Sequence, residues 1–143
     1  MGTVKAICVS GERGVQKHPV EKASFAPEWG IVCDAHGGNW HRQVSLLGEE
    51  SVDKVRPLLP DLAPGAFAEN LLTRGLCLYE LPIGTRLRAG EVLLEVTQIG
   101  KECHQGCAIR QLTGDCVMPR EGIFAIVLEE GVIRPGDSLE VEL

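Results

Sequence analysis

Residues 87–100 read LRAGEVLLEVTQIG. An apolar entry and a basic residue lead into the Ala89-Gly90 turn, an acid follows, and then the run EVLLEVTQI. Aliphatic and β-branched residues in a run of this length, entered through a glycine turn, mark a strand. The C-terminus repeats the grammar: IRPGDSLEVEL, residues 133–143, has the same order of apolar entry, basic residue, glycine turn, acid and strand. The two are similar local devices, too short to establish a duplicated domain.

The same punctuation extends outward. TVKAICV (3–9) reads as a first strand, residues 29–34 as a second apolar run, and QVSLL (43–47) as a further strand. NLLT and LCLYEL read as two more, broken at Arg74-Gly75. SGERGVQKHPVEKA reads as an irregular loop ended by Pro19, and DAHGGNWHRQ as a glycine-rich turn. In GEESVDKVRPLLPDL, Glu49, Glu50 and Ser51 suit a helix N-terminus, and Val52 and Val55 keep helical spacing. Pro57 should end that helix after about two turns. Seventeen glycines and eight prolines in 143 residues favour short strands over long helices. The expectation is a mainly β chain: a single closed or partly open antiparallel β-barrel with one or two short helices, one domain over residues 1–143. A β-sandwich would produce nearly the same pattern. The exposed strand edges of a small barrel also allow pairing with a second copy.

Net charge is −6, which speaks against general nucleic-acid binding, whose footprint is a basic excess. MGTVKAICVSGERG holds no long apolar run, and no stretch reaches bilayer-spanning length. A cytoplasmic protein with neither nucleic-acid nor membrane partner is expected. Its six cysteines are then mostly reduced thiols rather than three disulfides. Cys8 and Cys77 lie among apolar residues and read as small buried hydrophobes; Cys33 ends an apolar run and reads as structural.

GKECHQGCAIRQLTGDCVMPREGIF (100–124) differs, because Cys103, Cys107 and Cys116 sit among polar and basic neighbours. Three readings compete. Cys103-x3-Cys107 with a third sulfur and His104 could hold structural zinc, although adjacent Cys103 and His104 crowd one metal and no second close pair exists. The thiols could be buried and incidental, although Lys101, Glu102, Gln105 and Arg110 are poor core neighbours. Or Lys101, His104, Arg110 and Arg120 could stabilise a thiolate that carries a sulfane sulfur or ligates a soft metal.

Four segments resemble the MOSC domain family, named after the C-terminal part of molybdenum-cofactor sulfurase. They are SGERGVQKHPV, DAHGGNWHRQVSLL, PGAFAENLLTRG, and IGKECHQGCAI with GDCVMPREGIFAIV. The ordered set runs from near residue 10 to near residue 136 and is far more specific than any one piece. The resemblance implies a β-barrel and a role around molybdenum cofactor, a molybdopterin with a terminal phosphate or nucleotide. It implies a cysteine that carries a persulfide or places its thiolate on the metal. That cysteine falls within Glu102–Ile109; Cys107, directly before Ala108-Ile109, is the first candidate and Cys103 the second. Cys107 is also the candidate metal ligand. His104, Arg110 and Arg120 would keep it ionised.

An anionic pterin calls for backbone N–H groups, arginine and lysine. Arg13 and Lys17 around GERG, and His36, His41 and Arg42 around GGNWHR, are candidate cradles; a solvated loop explains each equally well. Asn70 and Glu69 in AENL could orient a cofactor group or close a turn. Larger members of the family add an N-terminal barrel region or a pyridoxal-phosphate desulfurase. This sequence shows neither, so a cysteine desulfurase as sulfur donor, or a molybdoenzyme as recipient, is the expected partner, and a purified sample without bound cofactor fits the reading. Turnover itself is left open. The rival classes are a zinc-stabilised interaction module and a redox sensor pairing Cys103 with Cys107 or Cys116.

Overall fold

The computed structural model describes residues 2–11, 17–32, 34, 37–38, 40–54, 57, 64–65, 67, 69–100 and 121–142. In chain order these form β1 (Gly2–Val9), β2 (His18–Val20), β3 (Ala23–Ala26), β4 (Gly30–Ile31), β5 (Val44–Gly48), α1 (Glu49–Asp53) and β6 (Leu71–Arg74). A 3₁₀ turn follows at Leu78–Glu80, then β7 (Arg86–Ala89), β8 (Val92–Ile99), β9 (Ile123–Glu129), β10 (Gly131–Ile133) and β11 (Ser138–Glu142).

Seven strands close a barrel in the order β1-β6-β5-β9-β8-β7-β11, with β11 returning to β1. Closure rests on Gly2↔Leu139 and Thr3↔Ser138, and it removes the exposed edges of an open sheet. Further along β1, β2 takes the place of β11 through Ile7↔Val20. Strands β10, β3 and β4 make a small second sheet, and β3 packs near β9. Val4, Leu46, Leu71, Leu94, Val96, Ile123, Ala125 and Val127 belong to the buried core, spaced at the two-residue period that turns alternate side chains inward.

The barrel is mixed, not wholly antiparallel as expected. β5 and β6 run parallel, from Leu46↔Leu71 to Gly48↔Thr73. Parallel neighbours need a crossover of a dozen or more residues. Here α1 and the chain leading to Leu71 provide it. α1 is five residues long, shorter than its sequence suggests.

The two look-alike turns build different things. Ala89-Gly90-Glu91 closes a hairpin with Ala89↔Val92 in register, and Gly90 takes the left-handed φ of +56°. The second turn, with Gly136 at φ +97°, links strands that do not pair with each other. β10 pairs with β3 and β11 with β7, so this turn carries the chain from the small sheet into the barrel. Local grammar sets the turn, and tertiary packing selects the partner.

Candidate functional site

Strands β8 and β9 meet at Ile99↔Ile123, and Gly100 N donates to Gly122 O at 2.7 Å. The cysteine segment therefore leaves and re-enters the barrel at one point. Just before that point the β8–β9 register shifts between Val96 and Gln98. Such a bulge re-aims side chains, often beside functional sites. The Gln98 amide nitrogen donates to Gly100 O at 2.7 Å. Its oxygen lies 2.9 Å from His41 Nε2 and accepts from Arg42 Nε at 3.1 Å. The Thr97 hydroxyl sits between the carbonyls of His41 and Phe124. The Arg42 guanidinium lies 5.3 Å from the Phe124 ring centroid, within cation–π range. One carboxamide thus fastens His41 and Arg42 to the stem of the cysteine segment.

The other side of the stem is held by Glu121. Its carboxylate accepts from Ser51 Oγ at 2.6 Å and from Lys54 Nζ at 2.8 Å, so α1 grips the chain as it re-enters β9. The hydrogen bond to Glu121 raises the pKa of Lys54.

Two residues expected to contact the cofactor, the cradle candidate Lys17 and the orienting candidate Asn70, turn out to be internal. Lys17 Nζ lies 2.7 Å from Asp34 Oδ1 and 3.2 Å from Ser10 Oγ, and the Lys17 and Asp34 side chains are 2% and 0% exposed. Its charge is matched inside the protein rather than offered to solvent. The chain at Lys17 is braced from PGAFAEN. Lys17 N donates to Gly65 O at 3.0 Å, and a Cβ at Gly65 would lie 2.1 Å from the Lys17 carbonyl oxygen, so glycine is required there. Glu69 in turn accepts from Gly65 N at 2.8 Å and Phe67 N at 3.1 Å. Burial raises the Glu69 pKa against these donors and Lys17.

Asn70 is fully buried and stitches three strands. It donates to Cys8 O at 3.0 Å and accepts from Ser45 N at 2.9 Å and Ser45 Oγ at 3.2 Å. Both ends of its carboxamide serve the barrel wall, where a β1–β6–β5 junction would otherwise leave backbone groups unpaired.

Arg13, His36, Cys103, His104, Cys107, Arg110 and Arg120 lie outside the described residues, as do Cys33 and Cys116. Of the other cysteines, Cys8 is buried, and burial, followed by the Glu69 charge, pushes its thiol up to about 12. It is an inert core residue. Cys77, expected to be buried, is exposed instead, because Gly75 at φ +102° swings the chain out before the 3₁₀ turn and Leu78 takes the inward position. Among the described residues no cluster of three or more histidine, cysteine or acidic side chains could hold a metal, and no helix is long and apolar enough to cross a membrane.

Sequence reasoning found His41 and Arg42 but missed Gln98, Thr97, Asp34 and Glu121. Asp34 had a signal, since a lysine destined for the interior needs an acid. Gln98 had none, because a strand run does not reveal its bulge.

The family model for the MOSC domain matches residues 33–140. No curated protein matches the sequence. Among solved structures, the YuaD protein from Bacillus subtilis superposes with a TM-score of 0.81 at 19% identity, covering 99% of this chain and 96% of that one. YiiM from Geobacillus stearothermophilus gives 0.76 at 22% identity over 100% and 76%. YiiM from Escherichia coli gives 0.70 at 20% identity over 100% and 70%. At these identities the likeness is one of fold.

Proposed function

The chain belongs to the MOSC domain family, and from that premise we propose that it binds molybdenum cofactor or carries sulfur for it, with Cys107 as the working thiolate. The family is associated with this cofactor and with sulfur chemistry. The observation that carries the reading is the Gln98 joint: it holds His41 and Arg42 at the root of the segment that bears Cys103, His104 and Cys107.

The donor set present suits an anionic pterin. Arg42 offers a guanidinium whose further N–H groups make no hydrogen bond among the described residues, and His41 offers an exposed imidazole beside it. In this reading they hold the phosphate end, with Arg13, His36, Arg110 and Arg120 completing the positive surround. Lys17 and Asn70 support the walls. Bound molybdenum supplies a soft centre for a thiolate ligand. As a sulfur carrier, Cys107 Sγ attacks the terminal sulfur of a donor persulfide; the new S–S bond forms as the donor's own thiolate leaves. A cysteine desulfurase is the fitting donor and a molybdoenzyme the fitting recipient. Residues 1–143 act as one unit.

The test is mass spectrometry and metal analysis of the protein co-produced with cofactor-making machinery, beside Cys107→Ser and Cys103→Ser. The expected result is added sulfur, or a bound pterin with molybdenum, that is lost in Cys107→Ser. Loading unchanged in that variant would overturn the assignment.

A further inference from the structure

Phe124, Ile126 and Leu128 alternate with the core residues Ile123, Ala125 and Val127, so β9 carries an apolar stripe on its outer face. Arg42 covers Phe124. Ile126 and Leu128 instead line an open cleft of about 480 Å³ together with Pro27, Glu28, Trp40, His41, Gln43 and Thr97. That volume falls in the range of roughly 300–1,000 Å³ usual for small-molecule sites. The indole, the acid and the imidazole are what a flat polar ring requires.

Glu28 adds an independent observation. Trp29 N donates to Ala26 O at 3.2 Å, closing a turn with Pro27 second and Glu28 third. Glu28 has φ +63° and is, among the described residues, the one non-glycine residue at positive φ. A type II turn favours glycine at that position. A glutamate in that conformation is a backbone outlier, the kind of feature from which a functional role is inferred. Its carboxylate makes no hydrogen bond or ion pair among the described residues.

We propose that this cleft binds a flat heterocycle whose edge presents two adjacent N–H donors, the amino-keto edge shared by guanine and pterins, attached to an anionic tail. The Glu28 carboxylate, an acceptor on both oxygens, receives both donors. The ring lies between Trp40 and the Ile126–Leu128 stripe, stacked on the indole. The tail reaches His41 and Arg42. Adenine is disfavoured, because its edge pairs a donor with a ring acceptor that repels a carboxylate. A pterin phosphate is one such ligand, so the site meets the proposed function there without depending on its thiolate or its metal.

Calorimetric titration of the intact protein tests this with guanosine 5′-monophosphate, pterin-6-carboxylate, adenosine 5′-monophosphate and ribose 5-phosphate. The first two should bind saturably, and the last two at least about tenfold more weakly, the loss expected for a charge-assisted pair. Glu28→Gln should weaken the first two by a similar factor, and Trp40→Ala should weaken them as well. Tighter binding of the pterin would assign the site to pterin phosphates, and of the guanine compound to nucleotides. Absence of saturable binding by either, equal affinity for the adenine and guanine nucleotides, or unchanged affinity in Glu28→Gln would each overturn the inference. Ring binding that survives while Cys107-dependent loading fails would sink the proposed function alone, and the reverse would sink this inference alone.

Discussion

His41 Nε2 lies 2.9 Å from the Gln98 carboxamide oxygen, although 57 positions separate the two residues. The same oxygen also accepts from Arg42, and the amide nitrogen reaches Gly100. Gln98→Ala should therefore free the His41 and Arg42 side chains from the stem at a cost of about 1–2 kcal/mol, the net worth of a few part-exposed hydrogen bonds. The fold should survive by urea titration. Cofactor or sulfur loading, read by mass spectrometry, should drop. Full loading in the variant would reduce the joint to a structural contact.

The Lys17–Asp34 pair makes a different prediction. Breaking a buried pair on one side strands a charge and costs about 3–5 kcal/mol, whereas replacing both partners with apolar residues is often close to neutral. Asp34→Ala should lower the urea midpoint far more than the double variant Lys17→Met/Asp34→Leu does. If the double variant is as damaged as the single one, charge is not what the pair contributes.

These two sites show what a sequence displays. β1, β5, β8 and β11 are legible because TVKAICV, QVSLL, EVLLEV and SLEVEL are aliphatic runs bounded by turns. β2 is hidden in an apparent loop, and β3 begins only where that loop ends, because HPV and ASFA are short and become strands only through their partners; Pro19 is tolerated where β2 has a single neighbour among the described strands. LCLYEL reads as a strand, yet the turn at Gly75 redirects it. The parallel β5–β6 pair is invisible locally, since direction depends on the crossover. At the site, His41 and Arg42 announce themselves as a polar cluster. Lys17 looks like a surface cation because its acid lies 17 positions away.

Glu69 should give an inverted acid limb. Burial lifts its folded pKa above the ordinary 4.5. Between the unfolded value and the raised folded value, the native state binds more protons than the unfolded state, so this group's contribution makes stability fall as pH rises through that window. It is flat below the unfolded pKa and above the folded one. Glu69→Gln should remove that component, so that the change in unfolding free energy from pH 4.5 to neutrality is more positive in the variant than in the wild type. An unaltered pH profile in the variant would show that Glu69 is not the group responsible.

Thiol labelling should separate Cys8 from Cys77. With its thiol pushed up to about 12, only about one Cys8 in ten thousand is ionised at pH 8, and the side chain is buried besides. Cys77 is exposed. Iodoacetamide on the native protein, followed by peptide mapping, should mark Cys77 and spare Cys8 until denaturant is added. Native labelling of Cys8 would mean that β1 opens far more readily than a closed barrel allows.

Glu28 offers the sharpest separation of stability from function. A non-glycine residue in the left-handed region costs about 1–2 kcal/mol, and glycine recovers that strain while losing roughly 0.5–1 kcal/mol to its greater freedom when unfolded. The balance favours Glu28→Gly by roughly 0.5–1 kcal/mol, and the Glu28 side chain is exposed and makes no hydrogen bond or ion pair among the described residues whose loss would offset it. Glu28→Asn should fall between the two, because asparagine tolerates this conformation better than glutamate. Thermal and urea unfolding should thus rank glycine above asparagine above wild type. The same glycine variant has no carboxylate and should lose the preference for guanine over adenine nucleotides. A protein that becomes more stable while it loses ring recognition would show that the strained glutamate is retained for binding. If Glu28→Gly is destabilised, the backbone at position 28 is under no strain, and the argument linking that turn to a ligand fails with it.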